Sequence, residues 1–102
     1  MKPSEVIREA RSVLFERGWN RDGRYVADDG SVCIVGALQA VGGDKSREPT
    51  WTAWTTCEGV VLDLGCTHVA RFNDHEAESF DDVLEVLDRA EKIAEQREAE
   101  AL

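Results

Sequence analysis

The chain has 102 residues, of which 42 % are hydrophobic and 32 % charged, and its formal net charge is −9. This length suits one domain with a modest core, and the excess of acidic residues argues against the clustered Lys and Arg that nucleic-acid binding needs. Because no apolar run approaches the roughly 20 residues of a membrane span and the N-terminus lacks a signal-peptide apolar block, we expect a cytoplasmic protein without nucleic-acid or membrane contacts.

Helical spacing of apolar residues predicts the first helix near the N-terminus. The apolar positions between residues 6 and 14 follow the i, i+3, i+4, i+7 pattern, and charged residues occupy the opposite face. Pro3 suits the first turn. Gly18 stands where a left-handed C-cap belongs, so we expect Trp19 to fold back onto Leu14 or Phe15.

A structured loop over residues 20–31 and a short second helix follow. The loop contains two Asp-Gly turn signals. Ser31 is the predicted N-cap of the second helix, which ends at Gly42 and is apolar on most sides. It is therefore predicted to be the buried central element, with Cys33 in its first turn.

A third helix is predicted to open at Pro49 or Thr50 and to end at Gly65. Gly59 lies inside it at a cost of about 1 kcal/mol relative to Ala, which indicates either close helix packing or a kink. The predicted apolar face of this helix consists of Trp54, Cys57, Val61 and Leu64.

The fourth helix is the clearest, with Ser79 as its N-cap and Asp82 completing an approximate capping box. In the short segment before it, Val69 and Phe72 are expected to point inward. The whole pattern predicts an all-α fold, a compact irregular bundle of about four helices with structured loops. Residues 1–97 form the predicted domain and residues 98–102 a frayed acidic tail.

Three short motifs resemble the domain of unknown function 6197 family, small proteins of actinobacteria and their phages. They are a Gly-Trp pair after the first helix, Cys-x-x-Gly-Ala at the second, and an aromatic residue followed by Asn-Asp before the last. The family often has Trp where this chain has Phe72, and it carries no established activity. The matching positions are Gly18, Trp19, Cys33, Gly36, Ala37, Phe72, Asn73 and Asp74.

Cys33 allows two interpretations. At a helix N-terminus, the dipole would lower its thiol pKa, and His68 with Asn73 or Asp74 then follows in the order found in cysteine hydrolases. The alternative, which we favour, is a small apolar side chain in the core, because Ile34 and Val35 come directly after it.

The Asn73-Asp74 pair is predicted to be structural, holding the loop before the last helix by hydrogen bonds to backbone near the start of the Cys33 helix. A metal site is not predicted, because the spacing of its possible ligands lacks the paired clusters of zinc sites. Those residues are Cys57, Cys66, His68 and His75. No phosphate-binding loop or other cofactor motif is present, so no cofactor is expected.

The charge is concentrated at one end of the chain. Residues 73–102 hold eleven acidic and three basic residues, a net charge of −8. An electropositive protein partner or simply a solvated helix face would explain this. The favoured hypothesis is a non-enzymatic domain that acts by protein contact; an obligate homo-oligomer that buries its tryptophans is another possibility. The candidate partner-binding residues are Trp51, Asp81, Glu85 and Asp88.

Overall fold

Five helices build the fold in the computed structural model, which describes residues 1–101. Within those residues there is no strand beyond isolated bridges, so the predicted all-α bundle is confirmed. The helices are α1 (Pro3–Arg17), α2 (Ile34–Gly42), α3 (Glu48–Asp63), α4 (Val69–Arg71) and α5 (Phe80–Glu100), and α4 runs directly into one π-helical turn, Phe72–Glu76.

The core forms where α1, α3 and α5 enclose the short helix α2. Helix α1 packs against both α2 and α5, and α3 packs against α1, α2 and α5. Residues 34–38 of α2 are all buried, as the predicted central element requires. The radius of gyration is 12.4 Å, close to the roughly 13 Å expected for a compact domain of this length.

The start of α2 differs from the prediction. Cys33 is the N-cap, and its Sγ accepts a hydrogen bond from the Gly36 N–H at 3.4 Å. Ser31 lies two residues upstream, and its hydroxyl donates to Asp29 Oδ1 at 2.6 Å. The prediction of Ser31 as the N-cap is therefore wrong: its hydroxyl bonds Asp29 in the preceding turn, and Cys33 caps the helix.

Helix α3 corrects two further expectations. Leu64 was predicted to lie on the buried face, but the helix ends at Asp63 and Leu64 is 49 % exposed. At Gly59, a Cβ atom would meet nothing within 4 Å, so this glycine faces open space and not a closely packed helix. The first helical residue is Glu48, one residue before the predicted start.

Helix α5 begins after Ser79, as predicted, but its N-terminal hydrogen bond is shifted by one residue. Asp82 Oδ2 accepts from the Glu78 N–H at 2.8 Å, and the Ser79 side chain makes no capping bond. The helix extends to Glu100, and the Glu98 carboxylate accepts hydrogen bonds from the backbone N–H and the hydroxyl of Ser4. The frayed tail expected over residues 98–102 stays a prediction. None of the helices within residues 1–101 has the length and apolar character to cross a membrane.

The segment between α3 and α5 was not predicted to be helical. Val69 and Phe72 are nonetheless buried there, 0 % and 5 % exposed, which agrees with the predicted inward anchors. In the π-helical turn, the Ala77 N–H bonds the Phe72 carbonyl at 2.8 Å. This wider turn follows α4 without a break and leads the chain to the start of α5.

Two glycine substitutions test this packing in opposite directions. Gly59→Ala should raise the free energy of unfolding by up to about 1 kcal/mol, because alanine favours the helix and its methyl group has open space. Gly36→Ala should lower it by about 1–3 kcal/mol, because the Cβ would lie 2.0 Å from the Tyr25 carbonyl oxygen. Urea unfolding followed by circular dichroism measures both; a neutral Gly36→Ala variant would contradict the close approach.

Candidate functional site

The three motif regions meet at the buried amide of Asn73. Its Oδ1 accepts from the Trp19 indole N–H at 2.8 Å and from the Ile34 backbone N–H at 3.1 Å. Its Nδ2 donates to the Asn20 carbonyl at 2.9 Å and to Asp74 Oδ1 at 2.8 Å. These bonds use both donors and both acceptor positions of the amide. The side chain therefore ties the loop after α1 and the start of α2 to the π-helical turn.

The π-helical turn gives Asn73 this position. Adjacent residues Phe72 and Asn73 are both buried, whereas Arg71 and His75 on either side are exposed. Single π-helical turns are rare and occur often at functional sites. Here the turn brings the Phe72 ring and the Asn73 amide into the interior together. Of the predicted Asn73-Asp74 pair, Asn73 bonds backbone at the start of α2.

Cys33 does not have the environment of an activated nucleophile. The thiol is 4 % exposed, and burial is the main reason its pKa is raised, with the negative charge of Asp74 adding to the increase. Hydrogen bonds from Gly36 and Val35 act in the lowering direction but are weaker than burial. The direction of this change argues against the hypothesis that the helix N-terminus lowers the pKa of the Cys33 thiol.

His68 has a different partner. Its Nδ1 lies 3.8 Å from Glu58 Oε1, and the imidazole is 73 % exposed. The other oxygen of Glu58 accepts from the Val69 N–H. Among residues 1–101, no hydrogen bond joins Cys33 to His68 or Asp74, so their contacts do not assemble the predicted nucleophile, base and orienting group.

The remaining motif residues allow the backbone conformations and close contacts found around the hydrogen bonds of Asn73. Gly18 ends α1 with a φ of 92°, a conformation that favours glycine. Gly36 gives room to the Tyr25 carbonyl oxygen, to which an added Cβ would come within 2.0 Å, so the close contact at this glycine is with the loop before α2. Ala37, beside it on α2, is fully buried.

Trp19 packs against a ring that the sequence analysis did not identify. Its indole stacks on Phe80 with 5.7 Å between ring centroids and packs against the core cluster that includes Leu14. The Arg21 guanidinium lies over the Trp19 ring, 5.2 Å from its centroid, and donates a hydrogen bond to the Ala77 carbonyl at 2.7 Å. Neither contact follows from spacing along the chain.

The candidate partner-binding residues differ in whether they form ion pairs with other residues of the chain. Trp51 is 54 % exposed on α3. Asp81 and Glu85 are exposed on α5 and form no ion pair within the part of the chain that the structure describes. Asp88 is engaged with Lys92 at 3.0 Å and Arg11 at 3.6 Å, and its hydrogen bond from Lys92 is the main cause of its lowered pKa.

The other two cysteines are also held as neutral thiols. Burial raises the pKa of Cys57 to about 12, and hydrogen bonding to the Glu76 carboxylate is the main cause that raises the pKa of Cys66 to about 11. In residues 1–101, no group of three or more His, Cys, Asp or Glu side chains is placed to hold a metal ion.

Comparison with known proteins gives a family and no activity. The model of DUF6197, a family of unknown function, matches residues 1–93, in agreement with the motif resemblance. No curated protein and no solved structure matches the chain.

Replacing the central amide tests its structural role. Asn73→Ala should lower the free energy of unfolding by roughly 3 kcal/mol or more, because buried polar groups left unpaired cost about 1–3 kcal/mol each. The groups affected are the Trp19 indole, the Ile34 N–H and the Asn20 carbonyl. Gln96→Ala, at an exposed position of α5, is the control and should change stability by no more than about 0.5 kcal/mol. Similar unfolding midpoints for the two variants in urea would contradict this role.

The reactivity of the cysteines tests the conclusion that all three are held as neutral thiols. A pKa near 11 leaves about 0.1 % of Cys66 as thiolate at pH 8, against about a quarter for an ordinary thiol. Iodoacetamide labelling followed by mass spectrometry should therefore be far slower at every cysteine in the folded protein than in urea. Rapid labelling of folded Cys33 would contradict the buried-thiol description.

Because the pKa values of the three thiols are raised in the folded state, their contribution to the free energy of unfolding should fall as pH rises from about 8.5.

Proposed function

We propose that this chain, which belongs to DUF6197, a family of unknown function, is a non-enzymatic domain that acts by binding another protein through its acidic last helix. The observation that carries the proposal is the unneutralised charge on α5. Residues 80–100, which form α5, hold eight acidic and three basic residues, and the exposed carboxylates of Asp81 and Glu85 have no ion-pair partner within residues 1–101. A surface of one charge accelerates encounter with an oppositely charged protein and helps to select it.

The environment of Cys33 supports the non-enzymatic part of the proposal. A catalytic thiol needs a stabilised thiolate and a base within hydrogen-bonding reach. Burial raises the pKa of the Cys33 thiol, while the imidazole of His68 is paired with Glu58 on α3. Of the two candidates for the third member, Asn73 has all of its hydrogen-bonding positions in use, and Asp74 accepts one of those bonds from Asn73.

Trp51 offers a second contact point. More than half of this side chain is exposed at the N-terminal end of α3. Tryptophan is enriched among the residues that contribute most to protein–protein binding energy. In the proposed function, Trp51 adds apolar contact to an association that is oriented mainly by charge.

The proposed setting is an actinobacterial or actinophage accessory protein of the cytoplasm, the host's cytoplasm if the gene is carried by a phage. The motif resemblance supports this origin. The three cysteines are free thiols, and free thiols are typical of a reducing cytoplasm. A phage-encoded acidic domain of this kind would bind and modulate a basic surface of a host protein.

Matched charge variants test the proposed function. Full-length protein, immobilised and exposed to actinobacterial lysate at increasing salt, should retain a defined set of proteins at low salt. Asp81→Asn with Glu85→Gln should reduce that retention several-fold, because the two exposed charges are removed without changing side-chain size. The control is Asp28→Asn with Asp63→Asn, which makes the same charge change at exposed residues outside α5.

The two variants decide the outcome. Loss of retention in the α5 variant with full retention in the control supports binding through α5. Equal retention by both variants, or no protein retained above an empty support, would overturn the proposal.

A further inference from the structure

Three aromatic side chains form a continuous row at one end of the α1–α5 pair. Phe15 of α1 contacts Phe80 of α5 edge to face, with 5.4 Å between centroids, and Phe80 stacks on Trp19 at 5.7 Å. We call these three residues the aromatic row. Seven aromatic residues occur in the chain, so this row gathers nearly half of them at one place on the surface.

The row is open to solvent at one end and closed at the other. Phe15 is 62 % exposed, the largest exposed fraction among the large hydrophobic side chains of the described residues. At the opposite end, the Trp19 indole is bonded to buried Asn73 and covered by the Arg21 guanidinium. The Phe15 ring therefore stands on a fixed support, and rigid aromatic side chains lose little entropy when a partner covers them.

Exposed acidic residues adjoin the row along both helices. Glu16 follows Phe15 on α1, and Asp81 follows Phe80 on α5 with Glu85 one helical turn farther. An apolar patch on helices that carry these charges fits a partner that presents both apolar and positively charged side chains.

The basic residues nearest to the row along the chain are already engaged. Arg11 lies between Asp88 and Glu91, at 3.6 and 3.4 Å. Arg17 Nε donates to the Gly30 carbonyl at 2.8 Å, and Arg21 donates to the Ala77 carbonyl. Arg17 and Arg21 keep their positive charge because a carbonyl group is neutral, but none of the three arginines forms an ion pair with Asp81 or Glu85 within residues 1–101. Both carboxylates are therefore open to an incoming cation.

We propose that the aromatic row is the docking site for a basic amphipathic segment of the partner protein. An apolar side chain of that segment packs on Phe15 and Phe80, and its Lys or Arg side chains pair with Asp81 and Glu85. An Arg guanidinium can also stack on the open face of Phe15. This inference rests on the proposed function and specifies the class of partner and the residue that anchors it.

Defined peptides test the inference on the full chain. The probe is a synthetic amphipathic helix made of Leu and Arg, and the charge control is a peptide of the same composition with its apolar face scrambled. Calorimetric titration should show tighter binding of the amphipathic peptide. Phe15→Ala should weaken that binding at least about tenfold, as expected for an aromatic anchor. Leu62→Ala, on α3 and 59 % exposed, should leave it unchanged.

Circular dichroism first establishes that both variants are folded, which the exposure of the two side chains favours. Equal affinity for the two peptides, equal effects of the two substitutions, or no binding of the amphipathic peptide would each overturn the aromatic row as the docking site. In the lysate experiment, retention that depends on Asp81 and Glu85 but not on Phe15 would keep the proposed function and reject this inference. Retention independent of Asp81 and Glu85 would reject the proposed function itself.

Discussion

The interaction on which this structure depends is the set of four hydrogen bonds made by one buried amide. Asn73 joins segments that are far apart in sequence: residues 19 and 20 after α1, the first N–H of α2, and the π-helical turn. In a water-excluded interior, each of these polar groups would be costly if left unpaired. Asparagine suits the position because it carries both donors and acceptors on a short planar group. Glutamine would need a longer reach, and aspartate would have no donor for the Asn20 carbonyl.

Cys33 is best understood as part of the support for this network. Its sulfur caps the first turn of α2 by accepting a hydrogen bond from the Gly36 N–H. In the same turn, Asn73 Oδ1 accepts a hydrogen bond from the Ile34 N–H. The same glycine gives room to the Tyr25 carbonyl oxygen. A cysteine at a helix N-terminus is thus compatible with two opposite chemistries, and burial decides between them. In this protein burial outweighs the effect of the helix terminus and keeps the thiol neutral.

Trp19 connects the interior to the surface where we place binding. Its indole N–H is held by Asn73, and its ring stacks on Phe80, which in turn supports the exposed ring of Phe15. The exposed ring of Phe15 is thus connected through Phe80 and Trp19 to the buried amide. In the proposed interaction, such preorganisation would reduce the entropy lost on association, and the acidic residues of α5 would contribute orientation and rate.

The sequence alone determined the helical class and the extents of the long helices to within a few residues. Helices are built from hydrogen bonds between near neighbours in the chain, so local features such as helical periodicity and a terminal glycine like Gly18 are enough to predict them. It also indicated that Asn73 binds backbone close to the start of α2. Only the tertiary structure decided which groups meet across the chain. Trp19 stacks on Phe80, and the Glu98 carboxylate accepts hydrogen bonds from Ser4, 94 positions away. Such pairings depend on how the helices pack together, and no local pattern of residue types specifies that arrangement.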